Sequence, residues 1–298
     1  MWIADRWKDY EVIDTSEGEK LESWGGYILL RPDPQVIWNT EKNSPEWRKL
    51  NGHYFRSNKG GGEWKTYNLP EEWSIGYDLS IGKRLTFNLK PFAFKHTGLF
   101  PEQAANWDFC GKLIEDAVAE GRNDIKILNL FGYTGGATCA SALHGAAETV
   151  HVDSSKGMIA RAKENIEASG LQDRYVRFIA EDCRKFVERE IRRGRKYDGI
   201  IMDPPKYGRG PTGELWEIDK SLFEFVSRCS LLLSDTPLFF LISSYATELG
   251  PTCVGNVLDI VIGSKFGGKV SSEELGLPVS RMGIVLPCGQ SSRWTSRT

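Results

Sequence analysis

Residues 125–131 read IKILNLF, and GYTGG follows at once. An apolar run this dense predicts a strand covered on both faces, the environment of a parallel sheet with helices on either side. The same grammar then repeats. TVHVD, YVRFIA, YDGIIMD and PLFFLISS are short apolar runs. Between them, GMIARAKENIEASG, CRKFVEREIRRG and KSLFEFVSRCSLLL have helical spacing, and the first two of these end at Gly170 and Gly194. Ahead of IKILNLF, PEQAANWDFCGKLIEDAVAEG predicts a helix closed by Gly121. Strands alternating with helices make βαβ units, so five parallel strands with helices on both faces are expected. A helix near GNVLDIVIG and two short strands, KVSSE and MGIVLP, close the chain in a way that suits an antiparallel last strand.

The first hundred residues differ. They hold Trp2, Trp7, Trp24, Trp38, Trp47, Trp64 and Trp73, with Trp107 just beyond. The runs GYILL, VIW, GHYF, WKTYNL and RLTFNL, separated by RPDP, NKGGGE and NLPEE, predict short strands, with a hairpin tip at Gly60 to Gly62. A length of 298 residues accommodates this β-rich domain over 1–95 and an α/β domain over 96–298. The smaller domain reads as a substrate-recognition element or a lid. Its tryptophans are mostly core, with one or two available as stacking platforms.

Composition narrows the class. Apolar residues at 40% and charged residues at 26% are those of a globular protein, and a net charge of −2 leaves any nucleic-acid partner to a local patch. Six dispersed cysteines without a CxxC pair argue against a structural zinc site and for reduced thiols. The charged N-terminus MWIADRWKDYEVID has no apolar core of a signal peptide. No apolar run approaches the roughly 20 residues of a membrane span. A cytoplasmic protein is expected, with no metal and no membrane partner; its oligomeric state is left open.

The chemistry gathers at the strand ends. Gly132, Gly135 and Gly136 lie between the first strand and a helix of small residues, where a ligand can approach the backbone and meet helix N–H groups. Asp153 ends the second strand, 21 residues after Gly132, where a carboxylate can accept from ribose hydroxyls. Asp182 ends the third, as an acceptor for an adenine amino group with Cys183 beside the ring, and Asp203 ends the fourth. A helix N-cap explains any one of these aspartates. Three, beside a Gly-rich loop, point to a nucleotide-like cofactor. In Asp203-Pro204-Pro205-Lys206 each residue before a proline is driven extended, giving a rigid lip of carbonyl acceptors suited to a planar amine or base edge. Lys206, Tyr207 and Arg209 follow as candidate substrate contacts. The basic run RKFVEREIRRGRK reads instead as a solvated helix face whose arginines complement the helix dipole.

NLFGYTGG, VDSS, AEDC, DPPKYG and the upstream KHTGLFPEQ resemble the class I S-adenosylmethionine methyltransferases. Within them they resemble the group of 23S ribosomal RNA enzymes that make 5-methylcytidine or 7-methylguanosine. The resemblance spans about residues 75–298. It implies a Rossmann-like, seven-stranded sheet with the last strand antiparallel, S-adenosyl-L-methionine as cofactor, and RNA, chiefly ribosomal, as substrate. It also implies that Asn129 and Phe131, Gly132, Tyr133, Thr134 and Gly135 embrace the methionine part. Asp153 and Ser154 would take the ribose, and Asp182 and Cys183 the adenine, with Phe100 and Gln103 nearby. Two features depart from the group: no PUA-type module is visible, and DPPKYG and LISSYAT lack the cysteine that attack on cytosine C5 needs. Cys253 falls in the following helix. A base nitrogen is therefore the expected acceptor, oriented by Asp203 and the Pro204 carbonyl. A protein or small-molecule methyltransferase, or a non-catalytic cofactor-binding RNA-binding protein, are the alternatives.

Overall fold

The computed structural model describes residues 1–57, 61–92, 94–209 and 215–297, with the side chain of Arg209 also outside the description. The chain divides into two compact units. One contains Trp2–Ala104 and Gly276–Cys288, the other Met1, Ala105–Leu275 and Gly289–Thr298. A division after residue 95 differs from this: residues 96–104 and the tip of the last hairpin pack with the N-terminal residues, where Lys90 and Phe92 donate to Thr97 and His96.

The N-terminal unit contains β1 (Trp2–Ile3), β2 (Tyr10–Ser16), β3 (Glu19–Trp24), β4 (Tyr27–Pro32), β5 (Gly52–Arg56), β6 (Gly62–Thr66), β7 (Trp73–Asp78) and β8 (Arg84–Leu89). Strands β2 to β6 are adjacent in chain order, and β7 and β8 form a separate antiparallel pair. GYILL, GHYF, WKTYNL and RLTFNL are strands as expected; VIW is not. Val36 and Trp38 only receive single bonds from Gly18 and Glu17, because RPDP turns the chain too sharply to enter the ladder. The expected hairpin between β5 and β6 is present, although residues 58–60 of its tip lie outside the described residues. Trp24 and Trp73 are buried. Trp7, Trp38, Trp47 and Trp64 instead use their indole N–H groups to pin loops, on Pro101, Thr15, Asp14 and Phe94.

The second unit is the α/β part. Its elements run α1 (Ala104–Ala119), β9 (Lys126–Leu130), α2 (Gly136–His144), β10 (Glu148–Asp153), α3 (Lys156–Ala168), β11 (Val176–Ala180), α4 (Cys183–Arg192) and β12 (Gly199–Met202). They continue as β13 (Tyr207–Arg209), β14 (Leu215–Glu217), α5 (Ile218–Ser230), β15 (Phe239–Ser244), α6 (Pro251–Leu258), α7 (Ser264–Phe266), β16 (Lys269–Val279) and β17 (Ile284–Thr295). The sheet order is β11-β10-β9-β12-β15-β17-β16. The first five strands are parallel, and β17 runs antiparallel to β15. The Rossmann-like sheet with an antiparallel last strand is thus the observed fold. The two closing strands are not short, at 11 and 12 residues. Leu128, Val150, Ile200 and Phe240, all fully buried, form the centre of the core. No helix among the described residues is long and apolar enough to cross a membrane.

Candidate active site

In an open parallel sheet, ligands bind beyond the carboxyl ends of the strands. Here β9, β10 and β12 end at a loop of unusual backbone. Phe131, Tyr133 and Gly135 all take left-handed φ, at 56°, 51° and 86°. Two bulky residues in this region carry strain of about 1–3 kcal/mol each, so something must hold them. The Phe131 N–H donates to Cys183 Sγ at 3.3 Å, and the Tyr133 N–H to Asp153 Oδ2 at 2.9 Å. Asn165 Nδ2 donates to the Thr134 carbonyl at 2.8 Å. Gly135 caps α2, and a Cβ there would meet the Ala162 methyl at 3.0 Å.

Beneath the loop, a Cβ on Gly132 would come within 2.4 Å of the His151 ring, so only glycine lets the backbone settle there. His151 Nδ1 lies 2.8 Å from Thr138 Oγ1, which itself accepts from Asn129 Nδ2 at 2.9 Å. Burial pushes His151 down to about 4, so the ring is neutral and acts as a filler of fixed shape.

Asp153 differs from its neighbours. Its Oδ1 accepts the Ser155 N–H at 2.8 Å, and no cation lies within ion-pair distance among the described residues. Burial therefore raises its carboxyl above the usual range, opposed only by the two backbone N–H groups. A half-buried carboxylate without a cation is short of donors, and ribose hydroxyls would supply them. Ser154 beside it is exposed. Asp182 is the N-cap of α4, its Oδ1 accepting from Arg184 N at 3.0 Å and Lys185 N at 3.1 Å. Cys183 is 3% exposed, its thiol turned in under the loop, and burial raises it well above the usual thiol range.

The Asp-Pro-Pro-Lys segment leaves β12 and runs into β13, which pairs with β14. Trp216 donates its indole N–H to the Pro205 carbonyl at 2.6 Å, and the Ile218 N–H donates to the Lys206 carbonyl at 3.1 Å. The ribbon and Trp216 carry no signal of their own in the sequence, because the pairing residues LWE precede α5 with no turn signal between them. Trp216 also packs on Phe131 and Phe225, with ring centroids 5.5 Å from each. One aromatic cluster thereby joins the Gly-rich loop to the lip. Lys206 pairs with Glu248, both exposed. Tyr207 is 53% exposed.

The strand ends thus bring together Phe131, Gly132, Tyr133, Asp153 and Cys183. Asn129 and Thr134 are buried, and the Asn129 amide is turned toward Thr138 rather than outward. Phe100 and Gln103 belong to the N-terminal unit, at the single turn Pro101–Gln103 before α1, with Phe100 against the His96 ring at 5.2 Å. Cys253 is exposed on α6. The basic run is α4 and its exit. Arg189 pairs with Glu181 at 2.5 Å, Arg195 with Glu148 at 2.6 Å and Arg193 with Glu190 at 3.3 Å. A groove of about 410 Å³ along α4 mixes Glu181 and Glu188 with Arg184, Lys185, Arg189 and Arg192.

Comparison with known proteins agrees with this geometry. The family model described as S-adenosylmethionine-dependent methyltransferase matches residues 41–234. A solved structure of the SAM-dependent methyltransferase from Agrobacterium tumefaciens is 34% identical, with a TM-score of 0.89, covering 99% of this chain and 93% of that one. The ribosomal RNA large subunit methyltransferase K/L of Shewanella frigidimarina is 32% identical over 247 residues, 77% of this chain and 30% of its own length. Ribosomal RNA large subunit methyltransferase I of an Enterobacter species is 36% identical over 84 residues, 28% of this chain and 21% of its own. The chain spans less than a third of the length of these curated relatives. The left-handed Gly-rich loop, the buried carboxylate at the end of β10 and the antiparallel last strand therefore have a shared origin: the chain belongs to the S-adenosylmethionine-dependent methyltransferase family.

Proposed function

We propose that this protein transfers a methyl group from S-adenosylmethionine to a base nitrogen of RNA, with ribosomal RNA the expected class, in the cytoplasm. The cofactor supplies an electrophilic methyl on a sulfonium sulfur. Phe131 to Gly135, with Asn129 behind them, would hold its methionine part. Asp153 and Ser154 would hold the ribose and Asp182 and Cys183 would flank the adenine; Phe100 and Gln103 remain candidates for the cofactor on the resemblance alone. Two of these assignments are narrower than the sequence implies. The Asn129 amide acts through Thr138 and His151 on the shape of the loop, and the Cys183 thiol through the Phe131 N–H.

The observation that carries the reading is the pinned Asp203-Pro204-Pro205 segment. Its outermost carbonyl is occupied by Trp216, so the lip is rigid before any substrate arrives. Asp203 and the Pro204 carbonyl would orient the lone pair of the acceptor nitrogen toward the methyl group. Because the donor is reactive, such positioning is most of the catalysis, up to about 7–11 kcal/mol in ideal cases. Lys206, Tyr207 and Arg209 would meet the substrate, with Lys206 exchanging Glu248 for a phosphate. The relatives named as ribosomal RNA methyltransferases support RNA over a protein or small-molecule acceptor.

Asp203→Ala tests this. Turnover should fall about a hundredfold, or about 2.7 kcal/mol, with S-adenosylmethionine affinity within a few-fold of wild type by calorimetry. Full single-turnover methylation by Asp203→Asn with a lowered melting temperature would make Asp203 a turn cap and remove it from the site.

A further inference from the structure

The N-terminal unit holds a second concentration of charge, remote in sequence from the strand-end aspartates. Glu22 is fully buried. Arg31 grips it through two nitrogens, at 2.6 and 2.7 Å, and Tyr10 donates to it at 2.8 Å. Lys20 lies 3.7 Å from Glu22 and 3.2 Å from Asp33. Two carboxylates are thus already matched by two cations.

A further cation is added at the edge of this cluster. The loop after β8 is closed by the Phe92 N–H on the His96 carbonyl at 3.1 Å, and its outer residues are Phe94 and Lys95. The Arg31 guanidinium donates to the Lys95 carbonyl at 3.0 Å, which fixes the loop against the cluster. The Lys95 ammonium donates to the Pro32 carbonyl at 3.1 Å, and no carboxylate lies within ion-pair distance of it among the described residues. Burial, Lys20, Arg31 and Arg56 together push this ammonium down to about 8, with Asp33 opposing. His96 is held neutral, pushed to about 4 by burial and by Arg31, Lys95 and Lys20. Positive charge is in excess at this point, and an anion would relieve it.

The same loop presents an aromatic face. Phe94 is 65% exposed, while its carbonyl is fastened by the Trp64 indole at 3.0 Å. An exposed ring on a fastened backbone loses little entropy on stacking. An exposed aromatic ring next to a cation that lacks a carboxylate partner is chemistry that binds single-stranded nucleic acid.

We propose that the Phe94–Lys95–His96 loop is a contact site for a single-stranded segment of the RNA substrate. Lys95 takes a phosphodiester, and Phe94 stacks on a base. The inference rests on RNA being the substrate, and assigns part of its recognition to the N-terminal unit. Since a bound phosphate favours the ammonium, the affinity owed to Lys95 fades as pH rises above about 8.

The test uses the full chain and a fluorescein-labelled single-stranded RNA of about 20 nucleotides, followed by anisotropy between about 50 and 200 mM salt. Phe94→Ala should weaken binding about tenfold at every salt concentration. Lys95→Gln should weaken it and lower the slope of log affinity against log salt by about 0.7. Lys112→Ala, at an exposed position on α1, should bind as wild type. Unchanged melting temperatures separate these effects from misfolding. Wild-type affinity and slope in both loop variants, with wild type binding RNA, would overturn the proposal and leave the RNA reading standing. Failure of wild type to bind RNA while it methylates a protein or small molecule would remove both. Loss of binding to phosphatidylglycerol vesicles by Lys95→Gln, with RNA binding intact, would assign the loop to a membrane surface and overturn it.

Discussion

Glu22 and Asp153 are both carboxylates withdrawn from water, one in each unit, and they are treated in opposite ways. Glu22 meets Arg31, Lys20 and Tyr10 and is held down at about 2 although burial opposes this. Asp153 meets two backbone N–H groups and, among the described residues, no cation, and its carboxyl is raised. A charge whose partners are all present belongs to the scaffold. A charge left short of partners marks a place where a ligand completes the set.

The largest effect that could break this comparison is at Glu22. Glu22→Gln leaves Arg31 buried without its carboxylate and Lys20 with Asp33 alone, a loss of about 3–5 kcal/mol and a melting temperature lower by about 10 °C. The pH dependence has a definite sign. A depressed folded-state pKa contributes stability that is complete above the ordinary glutamate value and is lost as pH falls toward about 2. The gap between wild type and variant should therefore narrow below about pH 4. An unchanged melting temperature at neutral pH would mean that the cluster is dispensable to the fold.

How much of this was legible follows the same division. Strands β9, β10, β12 and β15 are buried among helices and so are written in Ile, Val, Leu and Phe. The aspartates at their ends stand out against that background, and the site could be located from them. Strands β2 and β3 were not read as strands, because Asp14, Thr15, Ser16 and Glu22 are buried in them. Polar residues satisfied inside a core erase the period-two pattern on which strand reading depends. The last two strands were read as short because Gly276 and Pro278 lie within β16 and Pro287 and Gly289 within β17. Gly289, at φ 119°, interrupts the extended backbone without ending the strand. At the site, sequence offered a helix N-cap for any of the aspartates but not that Asp182 is the one with an oxygen spent on capping α4. It could name Cys183 but not that its thiol faces inward. Hydrogen-bond partners are a property of three dimensions.

Asp153→Asn sharpens the comparison from the other side. A raised carboxylate pKa means that ionised Asp153 costs stability at neutral pH, a cost relieved as pH falls through the folded-state value. Removing the charge should therefore leave the melting temperature within about 3 °C of wild type. S-adenosylmethionine affinity should nonetheless fall about tenfold or more, since one tenfold step is about 1.4 kcal/mol and a lost charge-assisted hydrogen bond exceeds it. A variant that melts early and keeps its affinity would place Asp153 with Glu22 in the scaffold.

The smallest effect is expected at Trp216, which belongs to neither class cleanly. It is a buried core residue, 4% exposed, yet its one polar atom holds the lip at Pro205. Trp216→Phe keeps an aromatic ring against Phe131 and Phe225 and removes that hydrogen bond with only a small loss of ring volume. The net cost of a single neutral hydrogen bond is about 1 kcal/mol, so the melting temperature should move by no more than about 3 °C. If the bond serves to hold Asp203 and Pro204 in register with the methyl donor, its loss appears in turnover. A kcat lower by about three- to tenfold is expected, with cofactor affinity unchanged. Trp216→Ala would confound the two roles, because it also opens a cavity beside the Gly-rich loop. The phenylalanine variant is the one that separates them. Should it turn over at the wild-type rate, the lip is rigid through its prolines alone, and Trp216 is core.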